Sequence, residues 1–357
     1  MFRRPTGSII PANGENELVF EALRRPRNGD RGVEANPDPV LSPADRPTIG
    51  LALGGGAARG FAHIGVIRTL LAHGIKPDVI VGTSIGAVVG GCLAGGQLDG
   101  FEVWARGLTR RGLLGYLDVS LSGAGLIGGG KLAGRLEEAL GDTLIENLPI
   151  RFATITTEVH TGHEIWLTRG RLVEALRASY ALPGIFPPVR LGGRWLVDGA
   201  LVNPVPVSAA RALGARLVIA VNLNADMLGR GATIASHGSD DSDEKYRQEL
   251  AKKRGLRGMF GPERAVRRQF FGGIERPGIP TVMVEAFNIM QDRITRARLA
   301  GDPPDVTISP RLGHIGWFDF HRAQEAMDVG ARTATRAIEL VNEAITALAP
   351  QVARSAK

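Results

Sequence analysis

Between Thr48 and Val89 an apolar run twice enters a cluster of small residues and leaves as a helix, and this doubled junction constrains the fold more than any other feature. The first run, Thr48 to Leu53, ends in Gly54-Gly55-Gly56. Phe61, Ile64, Ile67, Leu70 and Leu71 follow at helical spacing, up to a stop at Gly74. The second run, Pro77 to Gly82, reaches Ser84 and continues into Ile85-Gly86-Ala87-Val88-Val89. Runs this apolar fit strands covered on both faces, and strands alternating with helices make parallel crossovers. Further strand signals lie at Arg151 to Val159, Glu164 to Thr168, Arg194 to Val197, Arg216 to Val221 and Asp305 to Ser309. Helical stretches are expected at Val282 to Ala300 and Phe320 to Leu348. The class is α/β, a three-layer α/β/α sandwich around a mainly parallel sheet.

The second junction reads Gly82-Thr83-Ser84-Ile85-Gly86, a G-x-S-x-G pentapeptide. Small residues two places either side of a serine let strand and helix approach through a sharp turn that exposes the hydroxyl. In Gly54-Gly55-Gly56-Ala57-Ala58-Arg59-Gly60, unpaired backbone N–H groups converge at a helix start and favour negative charge. An oxyanion hole requires such donors, and Gly55, Gly56 and Ala57 are the expected ones. Arg59 reads as a loop anchor, a contact for an anionic head group or half of a salt bridge. A dinucleotide loop is disfavoured, because Ala57 replaces the second glycine of G-x-G-x-x-G and Asp78 opens a strand instead of ending one. Asp198-Gly199-Ala200 follows Trp195-Leu196-Val197 and puts a carboxylate at a strand end. It reads as a turn cap or, if burial raises its basicity, as a base.

In order and spacing these elements resemble the patatin-like phospholipase family, in particular the bacterial type related to the catalytic domain of neuropathy target esterase. The likeness runs from about Pro47 to Asn224 and includes Ser179-Tyr180-Ala181-Leu182-Pro183-Gly184-Ile185-Phe186-Pro187-Pro188. It extends more weakly through Gly313 to Gly330. The resemblance implies a Ser-Asp dyad without histidine: Ser84 as nucleophile, Asp198 as general base and the glycine loop as oxyanion hole. Gly54, Arg59, Gly60, Gly82, Gly86, Gly199 and Ala200 would support those motifs. It implies lipid acyl-ester hydrolysis with no cofactor. Ala57 departs from the pattern, since many members carry glycine there.

The remaining features bound this reading. A triad esterase would need a later histidine, and His237, His314 and His321 follow Asp198. A noncatalytic lipid-binding protein on the same scaffold is the other alternative. His63 reads as structural, the single Cys92 as buried, and no metal-ligand spacing occurs. Residues 1–46 read as a disordered tail, 47–350 as the hydrolase domain and 351–357 as a second tail. No run approaches eighteen apolar residues, which gives the expectation of a cytoplasmic protein. Residues 225–280 read as an insertion. Within it, residues 244–276 hold ten Lys or Arg against four Glu, an excess of six in a chain whose net charge is +7. That stretch reads as a lid, as a peripheral contact with anionic membrane or as a solvated loop; no nucleic-acid partner is expected.

Overall fold

β1 (Ile49–Leu53) lies at the centre of an eight-stranded sheet, and all five of its residues are buried. The computed structural model describes residues 46–109, 130–226 and 278–349, which fall in one compact unit. β2 (Val79–Thr83) pairs in parallel with one edge of β1, and β7 (Leu217–Val221) with the other. β3 (Arg151–Glu158) and β8 (Val306–Ile308) extend the parallel part outward, beside β2 and β7 respectively. β4 (Glu164–Leu167) and β6 (Arg194–Asp198) pair antiparallel with β3, and β5 (Val189–Leu191) antiparallel with β6.

Alternation along β1 divides the core. Ile49, Leu51 and Leu53 join the cluster that packs under α1 (Ala62–Ala72), α2 (Ile85–Ala94), α3 (Leu98–Arg106), α5 (Leu172–Ser179) and α8 (Ala323–Leu348). Ala52 joins Val81, Ile155, Val218 and α6 (Val207–Ala212) on the opposite face. The result is the expected sandwich, mostly parallel at its centre with helices on both sides. α4 (Gly130–Leu140) completes the first helical layer, where Leu136 and Leu140 are buried. α1 and α8 touch backbone to backbone: a Cβ on Gly65 would collide with the carbonyl of Met327, and one on Gly330 with that of Ala62.

α7 (Ile279–Gly301) starts before the expected Val282, with Pro280 in a first turn where its missing N–H costs nothing. Its polarity is inverted relative to an ordinary surface helix. Asn288, Gln291, Asp292 and Thr295 are buried, whereas Val282, Met283, Ile289 and Met290 are 40% to 51% exposed. Asp78 precedes β2 and holds Arg46 at 2.6 Å while accepting the Ile49 N–H at 2.8 Å. Arg46, read as the last tail residue, is therefore tied to the sheet. The rest of that tail, residues 227–277 of the expected insertion and the final segment lie outside the described residues. Among the described residues no helix is long and apolar enough to cross a membrane.

Candidate active site

Ser84 sits between β2 and α2 with φ 56° and ψ −126°, one of two non-glycine residues with positive φ among the described residues. Such a conformation costs of order 1–3 kcal/mol and persists only where its surroundings impose it. Here they do. A Cβ on Gly82 would strike the backbone of Ala87, and one on Gly86 would lie 2.7 Å from the Gly54 carbonyl oxygen and collide with that of Leu53. The two glycines of the pentapeptide thus let α2 close onto β1 and β2. The Ser84 carbonyl accepts the N–H groups of Ala87 (2.9 Å) and Val88 (3.2 Å). Its own N–H donates to Ser179 Oγ at 3.0 Å, and that hydroxyl donates to the Ile155 carbonyl at 2.7 Å.

Asp198 ends β6, one residue later than the strand expected from sequence, opposite Thr156 of β3. Its N–H donates to the Ala181 carbonyl (3.0 Å), and its own carbonyl accepts Thr157 Oγ1 (2.9 Å). The first contact ties the Ser179 to Pro188 block to the strand end that carries the carboxylate. The turn-cap reading of the aspartate holds, and its second oxygen meets Ser84. Oδ1 caps the turn at Gly199–Leu201 by accepting the Ala200 N–H at 2.8 Å, and Oδ2 accepts Ser84 Oγ at 2.6 Å. The carboxyl is 2% exposed. Burial pushes its pKa up to about 7, against the opposing pull of the hydrogen bonds from Ser84 and Ala200. A carboxylate with that value is protonated and deprotonated near neutral pH.

The glycine loop lies against this pair. A Cβ on Gly55 would be 3.5 Å from Ser84 Cβ and 3.4 Å from Ala200 Cβ. One expectation needs correction: the Gly55 N–H is not a free donor, because it is bonded to the Pro204 carbonyl at 3.0 Å, as Gly54 N–H is to Val221 at 3.1 Å. The N–H groups of Gly56 and Ala57 have no acceptor among the described residues. Their peptides are held from the other side, since the Gly55 carbonyl accepts Asn224 Nδ2 (3.2 Å) and the Gly56 carbonyl accepts the Arg59 N–H (3.1 Å). Ala57, at φ 49°, keeps its donor despite replacing glycine. Gly60 lies beneath Ile85, and Gly199 against the Ile155 carbonyl.

Behind the loop the side chains are polar and buried. His63 Nε2 contacts the Gly54 carbonyl at 2.7 Å, and burial lowers its pKa to about 4, so the neutral ring donates there. Arg59 is fully buried and makes no ion pair among the described residues, contrary to the salt bridge considered from sequence. Its Nη2 donates to Asn288 Oδ1 (3.3 Å), its guanidinium lies 5.9 Å over the Trp317 ring, and burial lowers its pKa to about 10. Cys92 is buried as expected, with its thiol pushed up to about 12. His314 Nε2 is exposed and engaged with Glu325 Oε1 at 2.9 Å, away from the Ser84–Asp198 pair. His237 lies outside the described residues. Sequence reasoning missed Ser179, Asn224 and Gln291 as parts of this site.

A family model described as patatin-like phospholipase matches residues 51–211, the segment that holds the glycine loop, Ser84 and Asp198. An uncharacterized NTE family protein of Mycobacterium bovis is 34% identical over 338 residues, covering 82% of this chain and 92% of the relative. The chain belongs to the patatin-like phospholipase family. Another relative in that family, the lysophospholipase NTE1 of Yarrowia lipolytica, is 33% identical over 226 residues, covering 62% of this chain and 14% of that protein. Among solved structures, VipD from Legionella pneumophila aligns with a TM-score of 0.40 and 15% identity, over 84% of this chain and 67% of that one. Membership of a patatin-like phospholipase family makes the chain a lipid hydrolase in its broad class.

Proposed function

We propose that the protein cleaves acyl esters of phospholipids or lysophospholipids through a Ser84–Asp198 dyad and an acyl-enzyme intermediate. The observation that carries the reading is the 2.6 Å bond from Ser84 Oγ to a buried carboxylate. Asp198 takes the hydroxyl proton as Oγ attacks the ester carbonyl, and the new oxyanion accepts the N–H groups of Gly56 and Ala57. Collapse of the tetrahedral intermediate breaks the ester C–O bond, and the leaving alcohol takes the proton from Asp198. Asp198 next removes a proton from water, the hydroxide attacks the acyl-enzyme, and Ser84 Oγ leaves with that proton. No step needs a cofactor.

Contact with an anionic lipid surface belongs to the same reading. The outward Val282, Met283, Ile289 and Met290 of α7 form an apolar stripe on a helix whose inner side supports the glycine loop. The strongly basic residues 244–276 precede it in the chain and complement anionic lipid.

Hydrolysis of p-nitrophenyl esters and labelling by a fluorophosphonate test the dyad. Both should be lost in Ser84→Ala, with the unfolding midpoint within a few degrees of wild type. Full residual hydrolysis in that variant refutes the nucleophile. A wild type that binds lipid vesicles but is neither labelled nor active is a binding protein instead.

A further inference from the structure

We infer that Asn224 is a positioning residue for ester cleavage, aiming the Gly56 oxyanion donor through the Gly55 carbonyl, with Gln291 of α7 holding Asn224 in turn. This inference rests on the dyad reading above. The Gly55 C=O and the Gly56 N–H belong to one planar peptide, and no cis peptide occurs among the described residues, so the two groups point in opposite directions. Whatever fixes the carbonyl on the inner side therefore fixes the N–H on the outer side, where the loop faces Ser84.

Asn224 Nδ2 supplies that fixture. One of its hydrogens goes to the Gly55 carbonyl (3.2 Å) and the other to Gln291 Oε1 (3.1 Å). Both side chains are buried, Asn224 at 3% and Gln291 at 4% exposure. The carbonyl acceptor sets the orientation of the asparagine amide, because the reversed amide would turn Oδ1 toward the Gly55 oxygen. The Asn224 backbone is held as well, its N–H donating to Asn222 Oδ1 at 3.0 Å. The contacts join a loop beyond β7 and the inner face of α7 to one peptide plane beside Ser84, across 169 and 67 residues of chain.

A donor aimed in advance acts on the charge that develops in the transition state and contributes little to ground-state binding. Asn224→Leu keeps the volume and removes the donor. Its kcat per active site, counted by titration with a fluorophosphonate, should fall about 10- to 100-fold with KM within about twofold, in line with a misaimed oxyanion donor. The inhibition constant of an alkylboronic acid, which becomes tetrahedral on the serine, should rise by the same factor. Binding of a non-cleavable ether lipid and the midpoint of the pH profile should stay in place.

If Asn224→Leu does not fold, Gln291→Met carries the test, since it leaves the Gly55 carbonyl bonded; a loss of about three- to tenfold in the same two readouts is expected. An unchanged kcat per titrated site, or a fall in kcat with an unchanged boronic acid constant, overturns the positioning role. A wild type that is neither labelled nor active overturns the dyad reading instead.

Discussion

Asp198→Asn should make the protein more stable at pH 8 while abolishing its activity. The folded carboxyl has a pKa of about 7 against an ordinary value of 3.8, so between those values the folded protein holds a proton that the unfolded chain releases. Folding stability therefore falls as pH rises through that window, by about 1.4 kcal/mol per unit, and levels off above about pH 7. Over the full window the loss amounts to roughly 4 kcal/mol, or about 10 °C in melting temperature for a domain of this size. Asparagine imitates the protonated acid: Oδ1 keeps the Ala200 N–H and Nδ2 donates to Ser84 Oγ. The variant lacks the titration. Urea unfolding of both proteins at pH 4.5 and pH 8 should give a gap of about 1 kcal/mol at the lower pH and about 4 kcal/mol at the higher. Wild-type kcat/KM should rise with the ionised fraction, half-maximal near pH 7, and the variant should lose at least about 100-fold for want of a base. A gap that is equal at both pH values, or an asparagine variant that is less stable at pH 8, refutes the argument.

Ala57→Gly should leave stability unchanged or raise it by up to about 1 kcal/mol in urea unfolding, because relief at φ 49° offsets the added freedom of the unfolded chain. Gly330→Ala should destabilise by at least about 2 kcal/mol, since its methyl meets the Ala62 carbonyl and the helices must part; a loss under about 0.5 kcal/mol contradicts so close a crossing. Replacing Met283 and Met290 together by serine should weaken co-sedimentation with phosphatidylglycerol vesicles severalfold while hydrolysis of a water-soluble ester stays within twofold. Unchanged sedimentation removes α7 from the lipid-facing surface.

What the chain revealed in advance was whatever its neighbours along the sequence determine. Gly82, Ser84 and Gly86 specify the elbow among themselves, and the apolar run before them requires a buried strand. From its own neighbours Asp198 was legible as a carboxylate at a strand end, a cap or a base if buried; the burial that raises its pKa comes from surroundings assembled across the fold. The donors of the glycine loop were harder. Spacing alone cannot tell that the Gly55 N–H is consumed by Pro204, 149 residues away in the chain, so that of the three expected donors only Gly56 and Ala57 keep an N–H without an acceptor among the described residues. Ser179, Asn224 and Gln291 act through contacts of the same long range. In α7 the periodicity identified a helix but not the side that is buried, because its inward stripe satisfies polar groups behind the loop instead of filling an oily core.

The crossing of α1 and α8 bears on when the protein becomes active. Ser84 and Asp198 are both made within the first 200 residues of the chain, yet the helix that follows the glycine loop rests on a partner that begins at residue 323. A chain made only as far as Asp198 lacks the helix on which the segment after the glycine loop rests. A chain truncated before α8 is expected to lose that support, and full hydrolysis of a p-nitrophenyl ester by such a truncation would show that the loop stands without it.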